Sequence, residues 1–284
     1  MSANIISGKE VAAQLRNEMR LEVKQLKKEG IIPHLSVILI GNDPASKSYV
    51  RGKEKAAKEI GINSEVIYMD ETTTEEVLLK KIKELNETPS IHGILVQLPL
   101  PNHIDEQRVI ASIDPSKDVD GFHPLNVGKM VLNQDTFLPC TPHGILKMLQ
   151  VKEIELQGAH AVIIGRSNIV GKPMGQLLLN EHATVTYCHS RTKNLKEITT
   201  QADILIVAVG QAHIIDGSYI KEGATVIDVG VNRIEDGSLT GDVDFASAKE
   251  KASYITPVPG GVGPMTITML LENTIRAARR LEQG

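Results

Sequence analysis

The chain has 284 residues, enough for one large or two modest domains with real cores. Its 41% hydrophobic content excludes a disordered chain, and a net charge of −4 with interspersed signs excludes the broad basic face of a general nucleic-acid binder. Cys140 and Cys188 lie far apart without metal-ligand spacing, and no apolar run is long enough to span a bilayer, so a cytoplasmic protein with reduced thiols and no metal is expected.

Ser7-Gly8-Lys9-Glu10 has the capping-box form and opens a helix that runs to Gly30. Leu35–Ile40 is a short β-branched run, predicted as a buried strand. Asp43-Pro44 supplies an N-cap and a proline at the first helical position, for a helix ending at Gly61. Val66–Met69 reads as a second strand, and Thr72–Thr74 caps a helix carrying Val77, Leu78, Ile82 and Leu85. Ile91–Leu98 is a third strand, stopped by Leu98-Pro99-Leu100-Pro101 because proline has no N–H for a sheet. Strands alternating with helices imply a parallel sheet covered by helices.

Asp114–Gly121 is a polar loop, and Thr141-Pro142 opens a helix into a second unit. There the alternation restarts: strand 161–164, helix 171–180, strand 184–187, helix 195–200, strands 204–209 and 225–229, and a short strand from Ile255. A glycine-proline loop over 257–264 precedes a final helix, 265–281. Leu98-Pro99 or Val258-Pro259 is expected to be cis, since both lie in tight turns.

Val162-Ile163-Ile164-Gly165-Arg166-Ser167-Asn168-Ile169-Val170-Gly171 reads as strand, turn and helix start. That order aims backbone N–H groups and a helix N-terminus at a pyrophosphate. The form departs from G-x-G-x-x-G: Ser167 replaces the middle glycine, and the last glycine comes one residue late. An NAD site presents an acid at the end of the next strand. Here that stretch ends in Ser190-Arg191, and Arg166 lies in the loop itself, a set that favours the 2′-phosphate of NADP.

In the first half, Tyr49 and Lys53 are four residues apart and share one helix face. A phenol beside an ammonium suits a planar substrate and a proton transfer, whereas the charged neighbours Arg51, Lys55 and Lys58 leave a plain solvated face as the alternative. Tyr-x-x-x-Lys is also the pair of short-chain dehydrogenases, but there it follows the glycine loop rather than preceding it. Gln97 sits at the carboxyl end of a parallel strand, where ligands gather in open α/β sheets. Lys117-Asp118-Val119-Asp120-Gly121 carries two acids, with solvated turn chemistry as the alternative.

Six motifs then occur in order: Tyr49-x-x-x-Lys53, Val96–Pro101, Lys117–Gly121, Pro139-Cys140-Thr141-Pro142, Gly165-Arg166-Ser167-x-x-Val170-Gly171-Lys172-Pro173 and Pro257–Thr266. Across its whole length the chain resembles the bifunctional methylenetetrahydrofolate dehydrogenase/methenyltetrahydrofolate cyclohydrolase family. The resemblance implies a two-lobed α/β fold. Residues 1–140 plus about 265–284 would form a catalytic, folate-binding lobe, and 141–264 a Rossmann-like NADP-binding lobe, the last helix returning to the first lobe. It implies NADP-dependent oxidation of 5,10-methylenetetrahydrofolate, then hydrolysis to 10-formyltetrahydrofolate, in a homodimeric enzyme that binds neither nucleic acid nor membrane. Lys53 would be the general acid/base, held by Gln97. Tyr49 would stack on the aminobenzoate ring and Asp120 would anchor the pterin. Pro259, Gly260 and Gly261 would line the folate site, and Gly165, Arg166, Ser167, Ser190, Arg191 and Val231 would hold the cofactor. The alternatives are an NADP-dependent reductase of a small carbonyl acid, of the shikimate-dehydrogenase type, and a non-catalytic NADP-sensing module.

Overall fold

The computed structural model describes residues 2–282. In chain order the first part holds β1 (Asn4–Ile5), α1 (Gly8–Lys28), β2 (His34–Ile40), α2 (Pro44–Ile60), β3 (Asn63–Met69), α3 (Glu75–Glu87), β4 (Gly93–Val96), α4 (Glu106–Ser112), α5 (Pro124–Val131) and α6 (Cys140–Val151). There follow β5 (His160–Ile164), α7 (Gly171–Asn180), β6 (Thr184–Cys188), α8 (Leu195–Thr199), β7 (Ile204–Val207), β8 (Thr225–Asp228), β9 (Asn232–Arg233), β10 (Leu239–Thr240), α9 (Phe245–Lys251), β11 (Tyr254–Ile255) and α10 (Val262–Glu282). The caps act as their sequences predict. The Asp43 carboxylate accepts from Ser46 N–H at 2.7 Å, Gly61 ends α2 in the left-handed region at φ 89°, and the Ser7 hydroxyl accepts from Glu10 N–H at 3.3 Å.

The chain divides into two compact units. One comprises Gln14–Cys140 and the segment from Ile267 onward. Its sheet is parallel in the order β3-β2-β4. Central β2 is apolar almost throughout because both of its faces are covered. Ile38, Leu78, Ile82, Ile94 and Val109 are fully buried in the core beside it. The last helix is tied in by Asn273, whose Nδ2 donates to the carbonyls of Val119 at 2.9 Å and Leu138 at 3.1 Å. Lys117 is buried, and its Nζ donates to the carbonyls of Leu85, Asn86 and Thr88, a cation set where α3 leaves acceptors unpaired.

The other unit comprises the residues up to Ala13 and Thr141–Thr266. Its sheet is parallel in the order β1-β11-β8-β7-β5-β6. The chain leaves β5 to one side for β6 and then returns to the other side for β7. That reversal creates a switch point at the carboxyl ends of β5 and its neighbours, the place for a ligand in such sheets.

Two features differ from the sequence expectation. The first residues join the unit of 141–266 rather than that of the following hundred, because β1 pairs with β11 through Asn4–Tyr254 and Ile5–Ile255. Two residues offer no periodicity from which to read such a pairing. The short elements α4, α5 and α9 and the β9–β10 hairpin also escape the pattern, being too brief for a period to register. Both Leu98-Pro99 and Val258-Pro259 are cis. Among the described residues no helix is long and apolar enough to cross a membrane.

His143 on α6 is only 9% exposed, and among the described residues its Nδ1 has no hydrogen-bond partner. Burial, helped by Lys147, pushes its pKa down to about 4. The unfolded chain therefore binds the extra proton first. Stability should be complete above the ordinary histidine range and fall, by on the order of 3 kcal/mol, as the pH drops from about 6.5 to about 4. Urea denaturation across this window should show a smaller fall for His143→Gln than for the parent; equal falls would assign the loss to other groups.

Candidate active site

The cap at Asp43 sets the phase of α2, and this phase decides which side chains turn inward. Val50, Lys53, Ala56, Ala57 and Ile60 are buried, so Lys53 lies on the apolar side of its own helix. It is 6% exposed, whereas Tyr49, one turn earlier, is 40% exposed and presents its ring. The Lys53 Nζ donates to Gln97 Oε1 at 2.9 Å. Gln97 stands just beyond β4 and is itself oriented, its Nε2 donating to the Leu98 carbonyl at 2.6 Å. The spacing expectation of a paired Tyr49 and Lys53 thus resolves into a buried amine and an open phenol.

Burial drives the Lys53 pKa below its ordinary value, opposed by Asp120 and the Cys140 thiol. The same burial raises the Asp120 carboxyl, opposed by Lys53 and reinforced by Asp118. It holds the Cys140 thiol well above its usual range. Burial thus disfavours the charged form of both the amine and the carboxyl. Cys140, expected as an ordinary core thiol, therefore sits beside the chemistry; its place inside Pro139-Cys140-Thr141-Pro142 is the signal that marks it.

In sequence Asp118 is one of two acids in its loop, with no role of its own. It is 1% exposed and organises the loop that carries Asp120. One of its oxygens accepts from Gly121 N–H at 3.2 Å and Phe122 N–H at 3.3 Å; the other accepts from His123 N–H and Asn126 Nδ2, both at 2.8 Å. Gly121 is required there: its φ is 77°, and a Cβ would lie 2.5 Å from the Leu138 carbonyl carbon.

In the other unit the turn after β5 is built on close backbone approach. Gly165 has φ 131°, and a Cβ on it would meet the Ala208 oxygen at 2.3 Å; one on Gly171 would meet the Gly165 oxygen at 2.4 Å. The Ser167 hydroxyl accepts from Val170 N–H at 3.1 Å and Gly171 N–H at 3.3 Å, so the serine that replaces the middle glycine holds together the turn leading into α7. Arg166 and Ser167 are exposed, as are Ser190 and Arg191 just past β6. The register that pairs Ile164 with Cys188 brings these two strand ends side by side. Val231, after β8, is also exposed. Two guanidinium groups and two hydroxyls at adjacent strand ends fit a phosphorylated ribose. Pro259, Gly260 and Gly261 belong to this unit, where the Gly260 carbonyl accepts from Lys9 N–H at 3.1 Å and Gly8 packs against Gly261. Tyr49, Lys53, Gln97 and Asp120 all belong to the unit of Gln14–Cys140, where Lys53 meets Gln97 and feels the charge of Asp120.

Two family models match. The tetrahydrofolate dehydrogenase/cyclohydrolase catalytic domain covers residues 6–120, and the NAD(P)-binding domain of the same family covers 139–282. The chain belongs to the tetrahydrofolate dehydrogenase/cyclohydrolase family. A relative named bifunctional protein FolD, from Oceanobacillus iheyensis, is 65% identical over 279 residues, 98% of each chain. The crystal structure of the bifunctional FolD dehydrogenase/cyclohydrolase from Campylobacter jejuni is 51% identical with a TM-score of 0.97, covering 98% of this chain and 99% of that one. The Trypanosoma brucei FolD structure, complexed with NADP cofactor and an inhibitor, is 39% identical with a TM-score of 0.96 and covers all of both chains. The family's two-part α/β architecture is therefore that of this chain.

Asp118→Asn would turn an amide N–H toward backbone donors already facing the carboxylate. A loss of about 2–4 kcal/mol of stability is expected by urea denaturation; an unchanged midpoint would mean that the carboxylate does not organise this loop.

Proposed function

We propose that this protein oxidises 5,10-methylenetetrahydrofolate with NADP⁺ and hydrolyses the resulting 5,10-methenyl cation to 10-formyltetrahydrofolate. The observation that carries the reading is the buried Lys53, held by Gln97 and facing Asp120. Full-length likeness to bifunctional relatives supports the enzyme over a shikimate-type reductase or a non-catalytic NADP sensor. The unit built on Gln14–Cys140 takes the folate, and the unit of the six-stranded sheet takes NADP.

NADP⁺, when bound, would supply the hydride acceptor for the one-carbon bridge of the folate. Arg166 and Arg191 would pair with the 2′-phosphate, Ser167 and Ser190 would donate hydrogen bonds to it, Gly165 would let the backbone approach the pyrophosphate, and Val231 would contribute main-chain contacts. Tyr49 stacks on the aminobenzoate ring and Asp120 anchors the pterin. Hydrolysis then needs only a placed water and a proton carrier, because the methenyl carbon is already cationic. Lys53, as the neutral amine favoured by burial, takes a proton as water adds to that carbon. The carbon–N5 bond breaks as the new hydroxyl loses its own proton to solvent and becomes the formyl carbonyl, Lys53 returns the first proton to N5, and the formyl group stays on N10. Gln97 keeps the amine aimed throughout. We also infer a homodimer working in the cytoplasm, from the family resemblance.

Lys53→Met should abolish methenyl hydrolysis, by about a hundredfold or more, while the protein folds and still binds NADP. Full cyclohydrolase activity in that variant would remove Lys53 from the role. In the parent, hydrolysis should rise with pH through an inflection below the ordinary lysine value, because the lowered pKa frees the amine early, and Lys53→Met should lose that limb.

The paired substitution Arg166→Ala and Arg191→Ala should cut the preference for NADP over NAD by roughly tenfold to a hundredfold, since both guanidinium groups are exposed and each screened contact contributes about 1 kcal/mol. Steady-state kinetics with both cofactors decide it, and an unchanged ratio rejects the 2′-phosphate assignment.

A further inference from the structure

Asp242 is completely buried in the cofactor unit and lies outside every motif used above. Its Oδ2 accepts from Val209 N–H at 2.7 Å and Gly210 N–H at 2.9 Å. Its Oδ1 accepts from Gln211 N–H and from Asn232 Nδ2, each at 2.9 Å. One carboxylate thus grips the segment after β7 and, through Asn232, the segment after β8. Asp242 is seated in turn by Asp228 at the end of β8. The Asp228 carboxylate accepts from Asp242 N–H at 2.9 Å, Val243 N–H at 2.9 Å and Gly230 N–H at 3.0 Å. Both carboxylates lie where no other residue than glycine fits opposite them. A Cβ on Gly230 would come within 2.1 Å of Asp242 Oδ1, and one on Gly241 within 1.8 Å of Asp228 Oδ2.

The sheet order gives this clamp its meaning. The β5 turn and the end of β6 take the pyrophosphate and the phosphorylated ribose. The remaining half of a dinucleotide must then run the other way, over the ends of β7 and β8. Those are the two segments that Asp242 holds. We propose that Asp242 is a positioning residue for hydride transfer: it fixes the loops after β7 and β8 that receive the nicotinamide half of NADP, and it has no part in the hydrolytic step. The inference rests on the NADP-dependent reading above.

The test is Asp242→Asn, which keeps the shape and puts one amide N–H against backbone donors. NADP binding by calorimetry should weaken about tenfold, the KM for NADP should rise more than kcat falls, and methenyl hydrolysis without cofactor should stay within about twofold of the parent. A parallel loss of both activities, or unchanged NADP affinity, overturns the proposal. Should Asp242→Asn fail to fold, Asn232→Ala severs only the β8 arm of the clamp and should weaken NADP about threefold; no change there also overturns it. Calorimetry does not depend on folate turnover. A parent that binds NADP but leaves methylenetetrahydrofolate unoxidised would sink the folate function and leave the clamp to be judged on binding.

Discussion

A loop whose backbone N–H groups point into space partly closed to water faces one constraint: those groups must find acceptors. This protein meets it with buried carboxylates. Asp118 collects the N–H groups of the loop that carries Asp120, and Asp242 collects those of the segment after β7. Each acid is costly to bury as a charge, and several donated hydrogen bonds offset that cost. The loops are thereby held in one shape before any ligand arrives, which is the condition for placing a reacting carbon accurately.

The same low-dielectric setting acts on the proton carriers. Lys53 lies on the apolar side of α2, so burial outweighs the attraction of Asp120 and the amine is pushed toward neutrality. Burial also outweighs Lys53 at Asp120 and lifts that carboxyl. Asp228 shows the same balance in the other unit. Its pKa rises to about 6 because burial and the neighbouring Asp242 together exceed the stabilisation from three backbone N–H donors. The hydrogen bond that Lys53 donates to the Gln97 amide oxygen orients the amine at little cost in this setting, because it satisfies a donor without adding charge.

Much of this was legible beforehand. The strand–helix alternation follows from apolar runs bounded by caps, and Asp43-Pro44, Gly61 and Ser7 each act at the position their chemistry predicts. The glycine turn and the cations at the end of β6 were readable because local backbone geometry dictates glycine, and because an acid was missing from a fixed place in a motif. Tyr49 and Lys53 could be put on one helix face by counting. Which of the two would be buried could not, since that depends on where the sheet lies.

Local physics written along the chain thus determined the longer elements, the glycine turn after β5 and the character of the cofactor. What only the tertiary structure decided were meetings between distant residues. Lys53 meets Gln97 across forty-four positions, Asp242 meets Val209 across thirty-three, and β1 meets β11 from opposite ends of the chain. No periodicity encodes such pairs. They arise because parallel strands end at one edge of a sheet and bring loops from remote parts of the chain together there. The acids serving those loops look in sequence like ordinary solvated turns, and packing alone makes them the groups on which the site is built.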